Sequence, residues 1–262
     1  MKKYFFISFT LCLCLFSYLK FYPSSMAQIP ENSAKSTKLL DSRPPLALSS
    51  DVAGEIEITE TPDFFETNFP LKKIKSPYFI NDLSYAKDEN FLHHKFYYKF
   101  GVNDCYVHND IYPNMQRLEK ILRDKNLRAL MFDCFRPHEA QIYMWRLNPN
   151  PKFLSNPYKT GSLHSKGLAL DIGLADANGI KLPAATGVDH FVDASSHNYK
   201  CKPEEQHLCD NRNLLKSIME QAGFRGIKNE WWHYQRPGSS APYPVIRVCD
   251  TKGSICYGED YK

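Results

Sequence analysis

The chain has 262 residues and a formal charge of +4, enough for one domain with a full core plus appended segments. Three of the positive charges, Lys2, Lys3 and Lys20, lie in the first 27 residues, which hold no acids, so the rest carries only +1. That balance excludes an electrostatic case for a nucleic-acid partner.

In chain order, residues 1–27 read as a secretory signal peptide: Lys2 and Lys3 in the n-region, an apolar run over 4–19, and Ser25-Met26-Ala27 as a small-x-small cleavage site. The run is short for a spanning helix and Lys20 ends it; an uncleaved anchor is the alternative. The expectation is an exported protein, periplasmic or extracellular, with no stable membrane association after cleavage. Cysteines then remain at 105, 134, 201, 209, 249 and 256. An even number in an exported chain implies disulfides, and six allow about fifteen connectivities. The short loops make Cys201–Cys209 and Cys249–Cys256 the natural pairs, leaving Cys105 with Cys134. Zinc on thiolates is the rival, but the chain has no C-x-x-C pair.

Residues 28–75 are rich in Ser, Pro, Thr and acids without sustained periodicity and are predicted to form a flexible linker, with 55–59 as a short strand candidate. A single domain is expected over 76–240. Phe91, Phe96, Tyr97, Tyr98 and Phe100 form an aromatic cluster expected in the core. Residues 113–125 read as a helix, with Met115, Leu118, Ile121 and Leu122 in one apolar stripe and Pro113 in the first turn. A buried strand follows over 127–132. Pro137 then opens a second helix through Leu147, which puts Arg136 at a strand-to-helix junction. Residues 148–160 form a polar loop. The stretch 175–209 is mostly loop, with His190 and His197 read as surface residues. The last helix is predicted over 213–222 with Gly223 as its stop, and a strand over 231–235. The tail, 241–262, is expected to be irregular and pinned by its cysteine pair.

The chemistry is concentrated in two stretches. Ser162-Leu-His164-Ser-Lys-Gly167-Leu-Ala-Leu-Asp171 carries a histidine and a carboxylate on either side of a glycine, and Glu230-Trp231-Trp232-His233 adds a second histidine. Zinc accepts neutral imidazole and carboxylate, and an open catalytic site has three such ligands and one water. Asp171 stands in an apolar stretch, where a lone carboxylate is costly unless paired or bound to metal. Glu230, three residues from His233, then suits the acid that handles the water's protons. Positions i and i+3 of an ideal strand face opposite ways, so Glu230 to His233 must bend or bulge for both to reach one metal. One histidine alone would more often be a surface or core residue; it is the combination that indicates a metal site.

Ser162-x-His164-x-x-Gly167-x-Ala169-x-Asp171 with Glu230-x-x-His233 resembles the signature of the zinc D,D-peptidases, a group that also includes lysostaphin-type endopeptidases and the hedgehog signalling domain. Within it, the chain most closely resembles the D-alanyl-D-alanine dipeptidases of the vancomycin-resistance type. Asp82-Leu-Ser-Tyr-Ala-Lys-Asp-Glu-Asn-Phe91 is similar to the family's D-L-x-Y-A-x-x-N-F segment, with one extra residue before the Asn. Phe132-Asp-Cys-Phe-Arg-Pro137 is similar to Y-D-G-Y-R-P, and Thr186-Gly-Val-Asp189-His-Phe191 to G-T-P-F-D-x-F. The resemblance covers residues 76–236.

The resemblance implies an α+β fold, a small antiparallel sheet with packed helices carrying a zinc site. It implies one Zn2+ per chain on His164, Asp171 and His233, with Glu230 as general base and acid and Arg136 stabilising the oxyanion. Tyr85, Ser162 and Asp189 would bind a small D,D-dipeptide, Asp189 receiving its free ammonium. The chain departs from the family pattern at Cys134, where glycine is usual, and at Leu168 and Val188, which are expected to reshape the pocket and relax its selectivity. The nearest rival activity is a D,D- or L,D-carboxypeptidase acting on longer wall peptides. A non-catalytic zinc-containing binding module is the other, although such a module has no need of Glu230 or Arg136. The oligomeric state is left open.

Overall fold

The structure, a computed structural model, describes residues 63–151, 154–238 and 243–248. The fold begins earlier than the composition suggests. Asp63 caps a short helix, α1 (Phe64–Asn68), by accepting from the Phe65 amide at 3.0 Å. Its other carboxylate oxygen accepts from the Tyr106 hydroxyl at 2.8 Å, and Phe65 packs against Tyr106 and Phe135. The predicted linker therefore does not extend to residue 75: two phenylalanines and a cap anchor its last stretch, too few residues to register as periodicity. The candidate strand at 55–59, the signal segment and the Cys249–Cys256 pair fall outside the described residues.

The strand β1 (Leu71–Lys73) pairs antiparallel with β3 (Tyr106–His108). The main sheet has five strands in the order β2 (Phe79–Asn81), β4 (Leu127–Asp133), β5 (Ala169–Asp176), β7 (Glu230–Gln235), β6 (Arg225–Ile227). Every pair in it is antiparallel except β2–β4, which is parallel, so the sheet is mixed within the expected α+β class. The helix α2 (Tyr112–Asp124) matches its predicted stripe, with Met115, Leu118 and Leu122 buried. Together with α4 (Gln206–Gln221) it covers one face of the sheet, meeting Leu168, Leu170, Ile172 and Leu174 of β5 and its approach. Side chains alternate along a strand, so Asp171 projects from the opposite face.

That opposite face carries a second, aromatic core. Phe96 and Tyr97 are fully buried there beside Tyr85, Phe135 and Met144 of α3 (His138–Leu147). Tyr98 departs from the expected cluster: it is 63% exposed, on the outer side of the turn that buries its neighbour. α4 starts seven residues ahead of the predicted 213. Its first turns are held by a disulfide, Cys201–Cys209, and by Arg212, which donates to the Ser196 and Tyr199 carbonyls at 3.1 and 2.9 Å. A bond and a buried guanidinium replace the apolar stripe that would have announced those turns. The Cys105–Cys134 pair also forms.

Candidate active site

Strand register builds the site. Asp171 of β5 pairs directly with His233 of β7, and on the other side with Asp133 of β4. Residues opposite one another in neighbouring strands share a face, so three polar side chains from three strands line up on the sheet's open side. Each outer pairing depends on an irregularity. The β4–β5 register shifts between Met131 and Asp133, and the β6–β7 register shifts so that Ile227 pairs with Glu230 while Gly226 pairs with Tyr234. The second shift is the bend required to bring Glu230 and His233 to one place. Glu230 Oε2 lies 3.9 Å from His233 Nδ1.

His164 arrives from a 3-10 turn, His164–Lys166, just ahead of β5. Gly167 ends that turn at φ +67, and a Cβ there would lie 2.8 Å from Leu71 Cδ2 and 2.9 Å from the His108 amide nitrogen. Only glycine meets both demands. The Ser162 hydroxyl accepts from the His164 amide at 3.2 Å, a turn bond on the wall of the cavity.

His164 Nε2, His233 Nδ1 and Asp171 Oδ1 converge, separated pairwise by 3.2, 3.1 and 3.4 Å. His164 Nδ1 donates to the Cys134 carbonyl at 2.9 Å and His233 Nε2 donates to Gln235 Oε1 at 3.2 Å. These bonds hold the protons on the outer nitrogens and turn both inner lone pairs, with the carboxylate, toward a common point. Three electron-pair donors at that range repel unless a cation lies among them. Ligands about 2.0–2.1 Å from a tetrahedral zinc are about 3.3 Å apart, so the donor set fits that ion in chemistry and in spacing.

Around this point lies a cavity of about 330 Å³. Arg136, 5% exposed, donates through Nε and Nη2 to Asp133 Oδ2 and through Nη1 to Gln141 Oε1 at 2.7 Å. Those bonds use three of its five N–H groups and leave one on each terminal nitrogen. Burial opposes its charge, but Asp133, Tyr85, Tyr97 and Asp171 outweigh it and raise its pKa further. Asp189 sits at φ +59, a backbone region costly for a residue with a side chain, and accepts from the Tyr85 hydroxyl at 3.0 Å. Burial, with the Asp171 charge adding to it, pushes the Asp189 carboxyl up to about 7. Burial likewise raises Glu230 to about 7.

The family model described as D-ala-D-ala dipeptidase, peptidase M15, matches residues 69–250. The chain belongs to this family of zinc metallopeptidases. The D-alanyl-D-alanine dipeptidase of Escherichia coli K12 is 32% identical over 142 residues, which span 54% of this chain and 72% of that one. The enzyme of the same name from Enterococcus faecium is 29% identical over 165 residues, 54% of this chain and 80% of the relative. Among solved structures, a vancomycin resistance D,D-pentapeptidase in complex with Zn(II) aligns over 52% of this chain and 75% of that one, at 16% identity and a TM-score of 0.33.

As a member of the D-ala-D-ala dipeptidase family the protein is a zinc-dependent hydrolase. Each residue given a catalytic, metal-binding or substrate-binding role from the sequence lines this cavity: Tyr85, Arg136, Ser162, His164, Asp171, Asp189, Glu230 and His233. The sequence reading missed their supports, Asp133, Gln141, Gln235 and Tyr97. Asp133 was visible in the Phe132-Asp-Cys-Phe-Arg stretch, but nothing local says that a carboxylate three residues before an arginine will grip it. Leu168 and Val188 do not reshape the pocket as expected. Leu168 is fully buried on the helix side of the sheet and Val188 packs against the same core, so neither lines the cavity. His197 is only partly exposed, its ring 5.8 Å from that of Tyr234 and neither nitrogen hydrogen-bonded among the described residues, and burial lowers it to about 4. It is a packing residue rather than a surface one.

Proposed function

We propose that the protein hydrolyses D-Ala-D-Ala, or a closely related D,D-dipeptide, in cell-wall peptide turnover, with His164, Asp171 and His233 holding one Zn2+. The observation that carries the reading is a triad of inward lone pairs beside one proton-handling acid, with a buried carboxylate, Asp189, in the same cavity. Bound zinc supplies a polarised water with a pKa near 7 at the scissile carbonyl. Glu230 takes the proton of the attacking water and returns it to the leaving amine, a task suited to a carboxyl raised to about 7. Arg136, fixed by Asp133 and Gln141, directs its remaining N–H groups at the oxyanion of the tetrahedral intermediate. Asp189, positioned by Tyr85, pairs with the substrate's free ammonium and so favours a dipeptide over the amine end of a longer chain. Ser162 contributes a hydroxyl to the same wall.

One feature favours the carboxypeptidase reading. A second cavity, of about 990 Å³, shares Phe191 and Glu230 with the first and offers room for a longer peptide. Hydrolysis of D-Ala-D-Ala and of a wall pentapeptide, each with and without chelator, separates the two. The dipeptide should be turned over, and lost to chelation. Asp189→Asn should narrow the preference, and the dipeptide's KM in the parent should fall as pH rises through about 7, because only the ionised Asp189 attracts the ammonium. Preference for the pentapeptide would replace the dipeptidase assignment.

Export is the second part of the proposal. The disulfides Cys105–Cys134 and Cys201–Cys209 suit an oxidising compartment, as does the signal-like stretch over 1–27. N-terminal sequencing of the mature protein should start at Gln28; recovery of the full chain from the cytosol would refute the compartment.

A further inference from the structure

A dipeptide is a zwitterion. On the reading above, Asp189 meets its ammonium, and the carboxylate at the other end needs a cation. Among the described residues two cationic side chains line the catalytic cavity, Arg136 and Lys166. Arg136 is engaged by Asp133 and Gln141 and directed at the reacting carbonyl.

Lys166 is held differently. It is the last residue of the His164–Lys166 turn and is only 6% exposed. Its stem is packed into the wall, as long charged side chains commonly are, with the ammonium at the open end. That ammonium has no hydrogen-bond or ion-pair partner among the described residues, and no ion pair joins it to Asp189. Lys166 and Asp189 line the same cavity without pairing with each other, which leaves the ammonium of Lys166 open to an anion that enters. The turn itself is clamped: the Arg136 amide donates to the His164 carbonyl at 3.1 Å and the Ile246 amide to the Ser165 carbonyl at 2.7 Å. The backbone that carries Lys166 is therefore fixed from two neighbouring segments.

We propose that Lys166 is a specificity-determining residue that receives the substrate's C-terminal carboxylate, so that the site measures a dipeptide by both of its charged ends. The inference rests on the dipeptidase reading and adds a residue to it. A charge-assisted bond inside a largely buried wall is among the stronger hydrogen bonds, and its loss should weaken binding of the free acid specifically. Lys166 also borders an adjoining cavity of about 760 Å³ that carries Lys159, Arg247 and His138. If its charge served that cavity instead, substrate with and without a carboxylate would respond alike.

The test is steady-state hydrolysis of D-Ala-D-Ala and of D-alanyl-D-alaninamide, which lacks the carboxylate, by the zinc-loaded parent, Lys166→Met and Lys166→Arg. Zinc content and melting temperature are followed in parallel. The parent should prefer the acid to the amide. Lys166→Met should raise the KM for the acid about 10- to 100-fold and leave that for the amide unchanged, and Lys166→Arg should recover most of the loss. Should the methionine variant fail to fold, the acid–amide preference of the parent and the response of Lys166→Arg still decide. Turnover of D-Ala-D-Ala by the parent without preference over the amide, or an equal loss on both substrates, overturns the inference alone. A parent inactive on both overturns the dipeptidase reading and this inference with it.

Discussion

Glu230→Gln should lower kcat by about 10²- to 10⁴-fold while zinc content and melting temperature stay at the level of the parent. The carboxylate lies 3.9 Å from His233 Nδ1, outside the triad of inward donors, and the glutamine amide keeps its shape and its place at the start of β7. What is lost is the ability to take a proton from water and return it to the amine. The position of Glu230 also explains why the carboxyl is raised. It is half-buried beside two other acids, Asp171 and Asp189, with His233 pulling the other way. Turnover near that of the parent would remove Glu230 from the mechanism. Loss of zinc together with loss of activity would make it a ligand rather than a base.

Arg136→Ala should be hit twice. Loss of one oxyanion donor costs on the order of 10²- to 10³-fold in kcat. The same substitution strips Asp133, 1% exposed, of its guanidinium partner. Breaking a buried pair from one side costs about 3–5 kcal/mol, although Tyr97 and the Cys134 amide would still donate to the carboxylate. Denaturant unfolding of Arg136→Ala should show that loss. Adding Asp133→Asn, which removes the orphaned charge, should restore much of the stability and none of the activity. If the double variant regained turnover, Arg136 would be a scaffold for Asp133 and not a partner of the substrate. If Arg136→Ala kept its stability, the Asp133–Arg136 pair would not be holding the β4–α3 junction as argued.

The elements with strong periodicity were legible in the chain. α2 carries its stripe of Met115, Leu118 and Leu122, and β4 its apolar run from Ala129 to Phe132, and both appear within a residue of their expected limits. α1 and the start of α4 were not, because what holds them is not apolar repetition. A cap on Asp63 and two phenylalanines hold the first, and a disulfide with Arg212 the second. The leucine in the metal stretch was legible as a residue but not as a direction. Whether Leu168 faced the cavity or the helices depended on the phase of β5, and it faces the helices.

By itself, the sequence determined which atoms could do the chemistry: two imidazoles, a carboxylate in an apolar strand, an acid near the second histidine and an arginine ahead of a helix. Residue type carries ligand preference and proton affinity wherever the residue comes to lie. Only the tertiary structure decided that those atoms meet, through the Asp171–His233 pairing and the two register shifts beside it. It also decided which nitrogen each histidine presents, because the Cys134 carbonyl and Gln235 hold the opposite ones. A register is a property of two strands together, and a slip of one residue would turn the carboxylate into the core; no spacing along a single strand can encode it.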